Sequence, residues 1–147
     1  MSGSPLLLAN LAATLLMTGV IWVVQIVVYP QFIHSGPHLA DAPAMVREHG
    51  RRIVPVVTAP MLVELATAVA LLVPGWRPAE LPAWAAWVGA GLVAALWVVT
   101  TFVSVPCHAA LSARWDAAVA ARLVRTNWWR TGLWTARAAL LLAVVYQ

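Results

Sequence analysis

Residues 53–73 read IVPVVTAPMLVELATAVALLV, and the only charge among them is Glu64, near the middle. About 20 apolar residues cross the hydrocarbon core of a bilayer, so this run is long enough to span one. A second run, Trp128–Tyr146, carries Arg137 near its own middle. A lone carboxylate or guanidinium at that depth costs at least roughly 2.5–3.5 kcal/mol on insertion scales, so such residues normally pair or line a wet cavity. Two opposite charges at similar depths in different helices therefore read as partners on the inside of a helix bundle.

Working outward, two more apolar runs complete a set of four: Leu6–Tyr29 and Trp84–Val105. The chain of 147 residues is 63% hydrophobic and only 10% charged, too apolar for a water-soluble domain. Leu6–Tyr29 lacks a basic stretch before it and is longer than a signal-peptide core, so it reads as a retained span. The expected fold is all-α and integral to the membrane: a four-helix transmembrane bundle in one domain, 1–147, with spans at about 6–29, 53–73, 84–105 and 128–146. The single Cys107 excludes an internal disulfide.

The three connectors differ in character. Gln31–Arg52 is polar and interrupted by Gly36, Pro37 and Pro43. Pro74–Pro82 is a tight turn of the kind that joins antiparallel helices. Pro106–Asn127 has Leu111, Trp115, Val119 and Leu123 at every fourth position, with Arg114, Asp116, Arg122 and Arg125 on other faces. That pattern predicts a cytoplasmic-side amphipathic connector helix lying against the headgroups, or one packed on the bundle.

The arginines set the expected orientation. Arg47, Arg51, Arg52, Arg114, Arg122, Arg125 and Arg130 fall on the side of the first and third connectors, and Arg77 alone on the other. The positive-inside rule then puts those connectors in the cytoplasm and both termini outside. Trp76, Trp84 and Trp87 would form the outer aromatic belt, and Trp115, Trp128 and Trp129 the inner one. The net charge of +4 comes from arginine without any lysine, a composition of high-GC bacterial genes that points to a bacterial inner membrane. In a membrane chain such a balance speaks of orientation, and no nucleic acid partner is expected.

Helical spacing gathers the polar residues into faces. Thr14, Thr18, Gln25 and Tyr29 share one on the first span; His49, Pro60 and Glu64 share one on the second if that helix starts before Ile53. The third offers Trp97, Thr101, Ser104 and His108, and the fourth Asn127, Arg130, Trp134 and Arg137. Lipid cannot satisfy such faces, so they are expected to point inward. Serine and threonine in membrane helices also serve close packing, yet packing alone calls for neither a buried acid nor a buried base.

All four histidines lie on the cytoplasmic side, where histidine is a metal ligand or a proton carrier near neutral pH. His34 and His38 read as loop residues, because Gly36 and Pro37 intervene. His49 and His108 end the polar faces of their spans at one membrane level and are expected to face each other. As metal ligands they would need Asp116, Asp41, His34 or water to complete the shell; without metal they would serve as a proton relay. No P-loop, GxGxxG, CxxC, HExxH or GxSxG pattern occurs.

Tyr29-Pro30-Gln31-Phe32, Pro60-Met61-Leu62-Val63-Glu64, Val105-Pro106-Cys107-His108, Asn127-Trp128-Trp129-Arg130-Thr131 and Trp134-Thr135-Ala136-Arg137 together resemble small four-helix bacterial membrane proteins of unknown function. That group is similar in layout to the anthrone-oxygenase-like membrane proteins. The resemblance implies a four-helix membrane bundle and oxidation of a hydrophobic small molecule, and it adds weight to residues chosen by spacing.

The function expected is thus a membrane-embedded enzyme, an oxidoreductase on a lipophilic substrate. His49, His108, Glu64 and Arg137 would be catalytic, with His49 and His108 holding a transition metal as cofactor. Gln25, Trp97, Thr101, Asn127, Arg130 and Trp134 would bind substrate. The expected partners are the bilayer and a lipophilic small molecule, with a homo-oligomer left open. One alternative is a small proton-coupled transporter, against which a permanently paired Glu64 argues. Another is a non-catalytic accessory subunit, whose cue would be small-residue stripes such as Gly89–Ala94.

Overall fold

The computed structural model describes residues 4–146, and among them every regular element is helical. Four long helices form the fold: α1, Pro5–His38; α2, Ala42–Ala70; α3, Ala83–Ala113; and α4, Ala117–Val145. The first three are long and apolar enough to cross a membrane; α4, with its four arginines, falls short of that apolarity.

The helices are longer than the apolar runs. α1 continues past Tyr29 to a closing 3₁₀ turn at Gly36–His38, so His34 and His38 sit on a helix end and not in a loop. Their rings meet at 6.3 Å. α2 starts eleven residues before Ile53, where Asp41 caps it by accepting from the Ala44 amide at 2.8 Å.

The amphipathic connector helix does not form. Residues 105–113 prolong α3, Arg114 turns extended, and Asp116 caps the start of α4 by accepting from the Ala118 and Val119 amides. Leu111 and Leu123 are fully buried in the bundle, so the four-residue spacing marks two helix ends packed inward. A three-residue break carries no glycine or proline to reveal it.

Both α1 and α3 contain one widened π-helical turn, at Val24–Val28 and Thr100–Ser104. Each precedes a proline, Pro30 and Pro106, whose ring would clash with the carbonyl four residues back, Ile26 or Phe102. Widening the turn relieves that clash and rotates all that follows.

Two apolar clusters hold the bundle. One is built on Leu7, Leu71, Leu81, Ala85, Ala86, Leu141 and Val144. The other surrounds Met17, Ile21, Tyr29, Met61, Leu96, Leu111 and Trp134. The outer faces are apolar as well: Leu16, Val23, Ile26, Val56, Leu62, Val69, Val98 and Phe102 are all exposed. Water-soluble monomers rarely leave so continuous an apolar surface uncovered.

Candidate functional site

Between the two apolar clusters lies a polar layer to which every helix contributes. Glu64 of α2 accepts through Oε1 from Thr14 Oγ1 at 2.6 Å and from Arg137 Nε at 2.9 Å, and through Oε2 from Trp134 Nε1 at 3.1 Å. Arg137 also donates to Thr14 Oγ1 at 3.2 Å, to Asn10 Oδ1 at 2.7 Å and to the Gly89 carbonyl of α3. Asn10 in turn donates to the Glu64 carbonyl and to Thr67 Oγ1. The space beside Arg137 amounts to about 10 Å³, room for one water at most. Both charges are buried and paired, and the layer works as a latch across four helices.

Gly89 belongs to this layer for a steric reason. A Cβ there would stand 2.9 Å from Arg137 Nη1, so glycine lets the guanidinium approach the α3 backbone this closely.

A second polar layer sits nearer the arginine-rich end, and it surrounds a cavity of about 120 Å³. Tyr29, His49, Thr100, Ser104, His108 and Arg130 supply its polar wall; Met17, Ile21, Val24, Ile53 and Val57 supply much of the apolar one. Tyr29 Oη lies 3.0 Å from His108 Nε2. The His49 and His108 rings stack at 5.9 Å with 20° between their planes, and the edge of Phe32 meets His49 at 5.1 Å.

Arg130 is braced from behind. Its Nη1 donates to Asn127 Oδ1 at 3.1 Å, Asn127 donates to Gln25 Oε1 at 2.8 Å, and Gln25 reaches the Val124 carbonyl at 3.4 Å. The guanidinium also lies 5.2 Å over the Trp134 ring, a cation–π distance.

Three buried side-chain atoms have no hydrogen-bond partner among the described residues: Thr100 Oγ1, His108 Nδ1 and Arg130 Nε. All three belong to residues that line this one cavity. Leaving a buried polar atom unpaired costs roughly 1–3 kcal/mol, more for a charged group, so the residues lining this cavity carry three unmet hydrogen-bonding needs.

The expected site residues therefore divide. His49 and His108 come together, and so do Glu64 and Arg137, but in separate layers. His49 stands fifteen residues from Glu64 along α2, roughly 22 Å of helix. Of the six residues expected to bind substrate, only Arg130 lines the cavity. Gln25, Asn127 and Trp134 stand behind it, Trp97 packs on the apolar cluster, and Thr101 faces outward. The π turn explains the last case: it moves the inner face from Thr101 to Thr100, four residues before Ser104 and eight before His108.

A metal shell around the two histidines does not assemble. No three His, Cys, Asp or Glu among the described residues gather closely enough to hold an ion. Asp41 and Asp116 are spent on helix caps, and His34 turns to His38. Asn10, Thr67 and Thr100 escaped the reading of the sequence, and Gly89 entered it only as part of a small-residue stripe. Asn10 had a signal, as an amide inside the first apolar run and one turn before Thr14.

No protein-family model, curated protein or solved structure matches this chain. The resemblance to the anthrone-oxygenase-like layout rests on the short motifs alone.

Proposed function

We propose that the chain is a membrane-embedded bundle whose cavity takes a lipophilic small molecule with an oxygen-bearing head, and that Tyr29 and His108 move a proton at that head. The observation that carries this reading is the set of three unpaired polar atoms on residues that line one cavity. A Tyr–His pair at 3.0 Å has the reach needed for proton transfer, and His49 stacks on the His108 ring and helps to hold it in place. Oxidation of the bound molecule is the activity implied by the resemblance; in it, these residues would bind the substrate and handle its protons.

Membrane insertion is supported by three long apolar helices with exposed apolar faces. α4 becomes the fourth span in this reading because Arg130 and Arg137 point inward, at 7% and 1% exposure. Arg47, Arg51, Arg52, Arg114, Arg122 and Arg125 at the cavity end favour a cytoplasmic placement for it, with both termini outside a bacterial inner membrane.

A proton-coupled transporter is the weaker reading. Glu64 would have to load and release a proton, yet both its oxygens are held, one of them by Arg137. An accessory subunit gives no account of the unpaired atoms.

Native mass spectrometry of the protein released from its own membrane tests the proposal. Wild type should carry one small lipophilic adduct per chain, and Val57→Trp, which fills the cavity, should lack it. The same adducts in both proteins would overturn the reading.

A further inference from the structure

α4 carries two buried arginines seven residues apart, on the same inward face, and their surroundings differ. Arg137 has a carboxylate at 2.9 Å and acceptors from Thr14, Asn10 and Gly89. Arg130 is 7% exposed, yet none of the ion pairs among the described residues includes it. Its charge meets the Asn127 side-chain carbonyl, the Tyr29 hydroxyl and the Trp134 ring, none of them a counter-charge, and its Nε–H has no acceptor. Burying a cation without a counter-charge is costly, and Arg130 is one of the residues that line the cavity.

We infer that the cavity takes the oxyanion head of a single-chain amphiphile, a carboxylate or phenolate, whose apolar tail leaves sideways between α2 and α3. The inference rests on the ligand-binding reading above and names the class of ligand. Three donors are available to the head. Arg130 offers Nε–H and Thr100 its hydroxyl. When Tyr29 donates to His108 Nε2, the imidazole hydrogen stays on Nδ1, the atom without a partner. Hydrogen bonds from charged donors to an oxyanion are about twice as strong as neutral ones, so an alcohol or ketone head would use this wall less well.

Size and outlet agree with that assignment. An apolar cavity of about 150 Å³ takes benzene, so about 120 Å³ holds a head group and a few carbons but no whole lipid. Val54 of α2 and Val105 of α3 line the same cavity and are each 56% exposed. The space therefore reaches the outer apolar surface between these helices, where a hydrocarbon tail would meet lipid.

The test is equilibrium dialysis of the purified protein in a neutral maltoside detergent, with radiolabelled decanoate and, in parallel, 1-decanol. Decanoate should bind saturably, one per chain, and at least ~10-fold more tightly than decanol. Arg130→Gln should abolish that preference by weakening decanoate far more than decanol. Thr100→Val keeps the shape and every charge, and should weaken decanoate several-fold even if Arg130→Gln fails to fold. Equal, saturable binding of both probes would overturn the oxyanion assignment and leave the ligand cavity standing. Saturable binding of neither would overturn both. A decanoate preference that survives Arg130→Gln, or a decanoate affinity unchanged by Thr100→Val, would put the anion elsewhere and also overturn the assignment.

Discussion

Arg137 Nε and Glu64 Oε1 meet at 2.9 Å, with side-chain exposures of 1% and 2%, inside a polar layer that has an apolar cluster on either side. Neither group faces water, and neither has spare hydrogen-bonding capacity pointed at a substrate-sized space. Removing one partner strands the other, which typically costs about 3–5 kcal/mol. Glu64→Gln and Arg137→Gln should each destabilise by that order, and the double variant by less than the sum. Denaturation in detergent, followed as a double-mutant cycle, measures this; additive losses would show that the two groups do not depend on each other.

Gly89 should be intolerant of even one methyl. In Gly89→Ala the new Cβ would stand 2.9 Å from Arg137 Nη1, so the guanidinium must shift within a network that spans four helices. A loss of about 1–3 kcal/mol is expected from such crowding. Gly91→Ala, two residues on, meets nothing within 4 Å and should be close to neutral. Thermal melts of the two variants side by side make the comparison, and equal melting temperatures would contradict it.

At the other end of the bundle, Gly36 carries the Trp115 ring. A Cβ at Gly36 would fall 2.1 Å from Trp115 Cζ2 and 2.2 Å from Cη2, and a rigid indole cannot yield by bending. Gly36→Ala should therefore displace the α3–α4 junction and lower stability, whereas Gly50→Ala, with open space around it, should not. Trp115→Ala in the Gly36→Ala background should recover part of the loss. A melt that shows no recovery would argue against this contact.

How far the sequence carried the reading depends on how much each feature stands out from its surroundings. Glu64 and Arg137 were legible because a charge inside an apolar run has few ways to be satisfied. His49 and His108 were legible because helical spacing tied each to the polar face of a span, and the rings do stack at 5.9 Å. The distance between the pairs was legible, since fifteen residues of one helix separate His49 from Glu64, but spacing did not show that each pair closes its own polar layer. Thr101 in place of Thr100 has a local cause: the π turn before Pro106 adds a residue that a regular 3.6-residue count omits. Gly89 offers Arg137 only a backbone carbonyl, and such an acceptor leaves no trace in the side-chain pattern.

Orientation can be read from single cysteines, because the native Cys107 is buried at 5% exposure and contributes little background. Tyr146→Cys, at a position 85% exposed, should react with a membrane-impermeant maleimide on intact cells. Arg114→Cys, in the arginine-rich junction, should react only after the cytoplasm is opened. The reverse pattern would overturn the placement of both termini outside.

The central claim is that the cavity between Tyr29, His108 and Arg130 is a ligand site, and the His108 ring reports on it most directly. Nitrogen-15 spectra of the histidine side chains, recorded in lipid nanodiscs with decanoate and then decanol added, read both ring nitrogens. The account predicts that Nδ1 of His108 shifts on ligand addition, Nε2 remains tied to Tyr29, and the exposed His34 and His38 do not respond. A His108 signal unmoved by either probe at concentrations that saturate the bilayer would contradict it.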